Sequence, residues 1–328
     1  MQMDQDAAVD DAPARAATVP HLERGNERLR APRDVRDLVQ QRRLAAASPA
    51  RTLAQLAVVA ALYLGSLVVG VAVGAWWCWA LVWALQAFLL LACGAVMHEG
   101  VHGNVTGDRR VDRVLAFIAG WLIFLPAAGY RPYHLQHHAT TMSEEDPSGA
   151  NAKPFKHRRE YLLVMLLAGP GFTAQMWSIS LRTIVGRPPA YVSERFRRQI
   201  VAETLIALAL YAAVAVAAPL LGVGQLVLVG WVVPAVIGLC AVAPYILMPE
   251  HYGAPLDRTI LESTATVRSN PVLSFVYLNN NHHTAHHLMS SCNPLRLGEI
   301  TDLLGDRVEL RYRSYAAFHR DVFRSLSW

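Results

Sequence analysis

Nine of the chain's 13 histidines gather in three short clusters and one outlier. The first cluster is His98-Glu99-Gly100-Val101-His102, the second is His134-Leu135-Gln136-His137-His138, and the third is His283-Thr284-Ala285-His286-His287. His251 stands alone between the second and third. On a helix, residues i and i+4 share a face at about 6 Å, so two imidazoles at that spacing can serve one metal or two adjacent metals. A tetrahedral zinc site takes four ligands, whereas nine imidazoles suffice for two ions with four or five each. Neutral imidazole suits Fe, Cu, Ni and Zn alike, so residue type alone leaves the metal open. Soluble di-iron bundles use two Glu-x-x-His motifs with two further glutamates, a carboxylate pattern that does not appear here, where Glu-x-x-His occurs once, at Glu99–His102. The nearby acids Glu99, Glu144, Glu145, Asp146, Glu250 and Glu262 are expected to accept hydrogen bonds from the ring N–H groups. Of the other histidines, His21 and His319 are expected at the surface, His157 solvated in a basic run, and His282 beside the ligands without being one.

Long apolar segments must position these rings. No Asp, Glu, Lys or Arg occurs from Thr52 to His98, and 53% of the chain is hydrophobic. A bilayer accepts such a stretch as two helices of about 20 residues each. Spans are expected at 53–74, 76–97, 200–221 and 226–247, forming two tight hairpins. Arg42, Arg43 and Arg51 precede the first hairpin, and Arg195, Arg197 and Arg198 precede the second. By the positive-inside rule both hairpins begin and end in the cytoplasm, which puts all three clusters and His251 on one side. Val114–Gly129 and Tyr161–Leu181, the latter broken by Gly169-Pro170-Gly171, carry Arg at both ends and are expected to enter the interface without crossing. Residues 1–50 form a cytoplasmic tail, partly disordered or interfacial, with 34–47 as a candidate interfacial helix. Residues 51–328 form the membrane domain, whose polar part from Arg258 onward makes a cytoplasmic cap.

Composition narrows the classes further. The formal charge of +5 comes from Arg beside apolar spans, without the aromatic interleaving or motif of a nucleic-acid surface. Cys78, Cys93, Cys240 and Cys292 form no C-x-x-C pair and read as small buried hydrophobes. The acidic start, Met1–Asp11, has no apolar core and so no signal-peptide character.

With H-E-G-V-H, H-L-Q-H-H and N-N-N-H-H-T-A-H-H in that order and apolar hairpins between them, the stretch from Leu53 to Leu297 resembles the membrane fatty-acid desaturase and hydroxylase family. The resemblance implies an all-α integral membrane fold of four transmembrane helices in two hairpins, with interfacial helices and a cytoplasmic cap carrying the histidine boxes. It implies two Fe ions held by His98, His102, His134, His137, His138, His283, His286 and His287, with His251 as the further ligand after the fourth span. Members use O₂ and two electrons to break unactivated C–H bonds. Loss of a second hydrogen gives a cis double bond, and oxygen rebound gives an alcohol. Desaturation of a membrane lipid or acyl thioester is the favoured expectation, with a lipid or carotenoid hydroxylase or ketolase as the alternative. The sequence carries no His-Pro-Gly-Gly haem signature, no nucleotide fingerprint and no ferredoxin cysteine set, so electrons are expected from a separate ferredoxin with its reductase or a b-type cytochrome. The expected location is a bacterial cytoplasmic membrane with both termini cytoplasmic.

One rival comes from another class. His98-Glu99-x-x-His102 is formally H-E-x-x-H, the zinc-protease pattern with Glu99 as general base. That reading leaves most of the clustered histidines without a role. A substrate tunnel between the spans could be walled by Trp76, Trp77, Trp79, Trp83 and Trp121, although such residues more often anchor helices at the interface.

Overall fold

The computed structural model describes residues 27–149 and 153–328, so His21 and the acidic start lie outside the described residues. The described chain is helical apart from one parallel pair of two-residue strands, β1 (Thr266–Val267) and β2 (Arg311–Tyr312). Helix α1 (Arg33–Gln41) is followed by α2 (Pro49–Val73) and by α3 (Trp76–Leu89) with α4 (Leu91–His102), which together form one long rod. Then come α5 (Arg109–Leu122), α6 (Ala127–Thr140), α7 (Arg158–Ile184), α8 (Glu194–Leu220) and α9 (Gly224–Glu250).

Five helices are long and apolar enough to cross a membrane: Pro49–Val73, Trp76–His102, Arg158–Ile184, Glu194–Leu220 and Gly224–Glu250. Their outward faces carry Leu62, Leu64, Val68 and Val71 on α2 and Leu205, Val216 and Leu220 on α8, all exposed. Water would penalise so much bare aliphatic surface, whereas lipid accepts it, and the helical backbone satisfies its own polar groups there. The protein is an integral membrane protein. Trp76 and Trp77 face outward with these aliphatics and so wall no space between the helices.

Four of the five long helices lie where hydropathy puts them. The fifth, α7, runs unbroken through Gly169-Pro170-Gly171. Proline inside a helix removes one backbone bond, a defect that packed neighbours can absorb. Gly169 supplies that packing, since a Cβ there would run into the Leu239 carbonyl of α9.

The segment from α5 to α6 bends by 109° instead of continuing. Such a break leaves carbonyls without helical partners in an apolar setting. Three aromatic donors from three other helices supply them. The Tyr211 hydroxyl donates to the Trp121 carbonyl at 2.7 Å, Trp231 Nε1 to that of Leu122 at 2.7 Å, and Trp177 Nε1 to that of Phe124 at 2.9 Å. The rings also stack, Trp121 on Tyr211 at 5.2 Å and Phe124 on Trp231 at 5.2 Å. This clamp fixes where α6, with three of the clustered histidines, leaves the bend. Residues Leu228–Val232 and Gly238–Val242 of α9 are π-helical, a widening that recurs beside functional sites.

The cap consists of α10 (Ile260–Ser263), α11 (Pro271–Val276), α12 (His283–Leu288), α13 (Leu297–Leu304) and α14 (Tyr315–Ser325). Helix α1 belongs to it: Val35, Val39 and Leu44 are buried against Ile260, Leu297, Ile300 and Leu304, and Arg307 grips Asp34 with both terminal nitrogens. His319 corrects its expected surface position. It is buried, its Nε2 donating to the Tyr245 carbonyl at 2.7 Å and its Nδ1 accepting from the Tyr161 hydroxyl at 2.9 Å. Polar neighbours in sequence gave the wrong environment, because His319 lies on the face of α14 that meets Tyr161 of α7 and Tyr245 of α9.

Candidate metal centre

Each histidine cluster is placed by a specific local device. His98 and His102 occupy the last turn of α4, one helical turn apart, with ring centroids at 5.7 Å. Gly100 between them is required by close packing: a Cβ there would lie 2.7 Å from the Asp112 carbonyl and 2.8 Å from Ala116 Cβ on α5. Asp112 in turn holds the chain after α4, accepting from Thr106 N at 2.8 Å and from Gly107 N at 3.3 Å. His134, His137 and His138 ride on α6 beyond the clamp. His283, His286 and His287 fill α12, which is buried throughout. His251 follows α9 directly.

All nine rings converge in two adjoining groups. His98, His102, His134, His138 and His286 form one, and His137, His251, His283 and His287 form the other; within each group the ligand atoms lie within 4.8 Å of one another. The groups touch, with the His138 and His287 rings stacked at 4.2 Å. His282 points elsewhere, its Nδ1 bonded to Thr301 Oγ1 at 3.0 Å, and His157 is exposed.

Inside the groups, Nε2 faces Nε2: 2.7 Å for His98 and His286, 2.9 Å for His102 and His134, 3.1 Å for His286 and His138, and 3.0 Å for His287 and His283. Most of the outward nitrogens meet polar groups, while His283 Nδ1 is buried with no hydrogen-bond partner among the described residues. His286 Nδ1 lies 3.2 Å from Glu99 Oε1, His137 Nδ1 3.0 Å from both Asp146 oxygens, and His251 Nδ1 3.0 Å from the Ser263 carbonyl. His287 Nδ1 meets Thr141 Oγ1 at 3.2 Å, and the Tyr130 hydroxyl bridges His98 Nδ1 and His134 Nδ1 at 3.1 Å each. A ring that donates from Nδ1 to a carboxylate or carbonyl keeps its Nε2 lone pair, so these contacts aim lone pairs inward.

Two observations test the fit to metal. His251 Nε2 is buried and has no hydrogen-bond partner among the described residues. A buried polar nitrogen left so is costly, and a cation held with His137, His283 and His287 satisfies it. Protonation also favours metal. Burial, with His137 nearby, pushes His251 and His286 down to about 3, and burial with neighbouring imidazoles holds His283 and His287 well below the usual histidine range. Neutral rings are the ligating form. The donor set therefore fits metal ions with a nitrogen-rich shell.

The expected acids divide. Glu99, Asp146 and Glu250 reach the rings, Glu250 Oε2 at 3.5 Å from His283 Nε2. Glu144 and Glu145 are exposed, and Glu262 closes a capping box with Thr259 at the start of α10, so none of these three touches a ring. Turn geometry decides this: Asp146 folds inward because its carboxylate also accepts from Met142 N at 2.8 Å and Ser148 N at 2.9 Å. Glu99 is fully buried, with Asn104 Nδ2 donating to its Oε2 at 3.0 Å. Tied to Asn104 and facing His286, it lies inside the cluster, which is not the water-facing position that a protease base needs. Sequence reasoning missed Tyr130, Thr141, Asn104 and Ser148. Tyr130 was findable, since it precedes His134 by one helical turn on the same face.

Residues 74–319 match the family model described as Fatty acid desaturase. A search of curated proteins finds no match.

Proposed function

Because this chain belongs to the fatty acid desaturase family, we propose that it is an O₂-dependent di-iron acyl desaturase that introduces a double bond into a lipid acyl chain. The observation that carries the proposal is the pairing of two imidazole groups, five and four rings, around inward lone pairs, with the orphaned His251 Nε2 in the second. Two irons bound there would supply O₂ activation and hydrogen removal from an unactivated methylene.

The chain's own residues do the rest. His98, His102, His134, His138 and His286 would hold one iron, and His137, His251, His283 and His287 the other. Asp146 fixes the tautomer of His137, and Glu99, 3.2 Å from His286 Nδ1, offsets part of the positive charge. Tyr130 accepts from both His98 and His134 when both bind metal, locking two rings with one oxygen. Glu250, which accepts from the Tyr277 hydroxyl at 3.2 Å, lies 3.5 Å from His283 Nε2, on the inward side of that ring. Burial of the rings keeps bulk water from the reactive face. Electrons come from a separate donor, a ferredoxin with its reductase or a b-type cytochrome, docked on the cap.

The convergence of the rings also supports a reading of the topology. His138 precedes α7 and His251 follows α9, yet both reach one centre, so the number of crossings between them is even. Helices α8 and α9 form a hairpin around Gly222, and α7, although long enough to cross, is the helix that does not. Its start is tied to the cap by Arg158 N donating to the Ser327 carbonyl at 2.8 Å. Both termini then lie on the cytoplasmic side.

Expression in a host of defined lipid content, followed by mass spectrometry of total lipids, tests the function. The expected product is an acyl chain two hydrogens lighter, lost in the His251→Ala variant. A product heavier by one oxygen would replace desaturation with hydroxylation or ketone formation, and an oxidised carotenoid would move the substrate class.

A further inference from the structure

The three acids that reach the imidazoles do so at different ring atoms. Asp146 and Glu99 lie against Nδ1 atoms, of His137 at 3.0 Å and of His286 at 3.2 Å. Glu250 lies against an Nε2 atom: its Oε2 is 3.5 Å from His283 Nε2, which itself faces His287 Nε2 at 3.0 Å. The backbone holds this carboxylate in place. Glu250 ends α9 immediately before His251. Its carbonyl accepts from Ala265 N at 2.8 Å, and His251 Nδ1 meets the Ser263 carbonyl at 3.0 Å, so one short stretch of the cap fixes both residues. Oε1 is taken by the Tyr277 hydroxyl at 3.2 Å, which leaves Oε2 turned toward the rings.

Charge and spacing both give Oε2 a metal to bind. The Glu250 side chain is only 17% exposed, and no Lys or Arg pairs with it among the described residues. A carboxylate taken out of water without a cation is costly, and a metal ion beside His283 supplies the missing positive charge. Ligand atoms each about 2.1 Å from one ion stand about 3–3.5 Å from one another, which is how Glu250 Oε2, His283 Nε2 and His287 Nε2 follow each other. The count agrees: one group offers five rings and the other four, and Glu250 adjoins the group of four. We infer that Glu250, through Oε2, is a direct ligand of the ion held by His137, His251, His283 and His287. The inference rests on the two-iron reading above and departs from the all-imidazole set that the family resemblance implies. One iron then has a neutral nitrogen shell and the other carries an anionic oxygen, so the two are inequivalent.

The test uses the full-length protein loaded with ⁵⁷Fe(II) without oxygen, its iron counted per chain and its Mössbauer spectrum recorded. The wild type should hold two irons that give two quadrupole doublets of equal area. Glu250→Gln removes the anionic oxygen, and Glu250→Asp keeps the charge but draws it back from the ring. Each should shift one doublet and leave the other in place. The affected iron should also be lost at a chelator concentration at least about 10-fold lower than in the wild type. Tyr277→Phe keeps the carboxylate and removes only its hydrogen bond, so both doublets should stay. Glu250→Asp decides the matter even if Glu250→Gln fails to fold. Two irons with an unchanged spectrum in Glu250→Gln, or the same change in Tyr277→Phe, would overturn the ligand and spare the functional reading. A wild-type spectrum in Glu250→Asp would reduce Glu250 to a counter-charge and overturn it equally. Fewer than two irons in the wild type would overturn the functional reading and the ligand together.

Discussion

Replacing Asp146 with Asn changes one atom and leaves volume unchanged, yet it should weaken the metal centre. The Asp146 carboxylate is an acceptor for four donors. Oδ1 takes Ser148 N at 2.9 Å and Ser148 Oγ at 2.7 Å, Oδ2 takes Met142 N at 2.8 Å, and His137 Nδ1 sits 3.0 Å from both oxygens. An amide has one acceptor oxygen and one NH₂. If its oxygen takes the Oδ1 place, the NH₂ confronts the Met142 N–H; if it flips, the NH₂ confronts Ser148. Either way a buried backbone N–H loses its partner, which costs about 1–3 kcal/mol. The ring loses a charged acceptor for one that is neutral, and such changes around a metal ligand typically lower metal affinity about 10–100-fold, or about 1.4–2.7 kcal/mol. Iron content after dialysis against a graded chelator series measures this directly. The variant should release iron at a chelator concentration about 10–100 times lower than the wild type, while Glu144→Gln, at an exposed neighbour, should match the wild type. Equal iron retention by Asp146→Asn and the wild type would refute the reasoning that Asp146 fixes His137.

Three further outcomes follow from the same geometry. Trp231→Phe removes the indole donor to the Leu122 carbonyl but keeps the stacked ring, so it should destabilise the α5–α6 bend by about 1–3 kcal/mol, visible as a lower midpoint in thermal unfolding. His319→Ala should lower that midpoint too, because it strands the Tyr161 hydroxyl and the Tyr245 carbonyl, while iron per folded chain stays unchanged. Acid should destabilise the metal-free protein: folded His251 and His286 hold out against protons down to about 3, whereas the unfolded chain takes them up near the ordinary histidine value. The unfolded state then binds more protons, so stability is full above about pH 6.5 and declines as the pH falls toward 3; chemical denaturation across that window reads the slope.

Much of the site was legible because imidazole is a rare, chemically specific side chain and its spacing survives folding. His98 and His102 share a face by helical periodicity alone, and the apolar runs with their flanking arginines fix where the clusters lie in the chain. His251 needed the resemblance to a known family, since a lone histidine carries no spacing. What sequence could not give was side-chain direction in turns. Glu144, Glu145 and Asp146 are neighbours, yet only Asp146 turns inward, because backbone N–H groups of Met142 and Ser148 capture it. The same holds at longer range. Gly169-Pro170-Gly171 reads as a break, but close contact with α9 carries the helix through it, while the true break between α5 and α6 is stabilised by Trp177, Tyr211 and Trp231 from far along the chain. His319 misled for a related reason, its partners Tyr161 and Tyr245 being remote in sequence.

Mössbauer spectroscopy of ⁵⁷Fe-enriched protein, with metal quantified per chain, tests the central claim most directly. Two irons per chain in nitrogen-rich surroundings, falling to at most one when His251 is replaced by Ala, is the predicted result. A single zinc per chain, or an iron signal indifferent to His251, would contradict it.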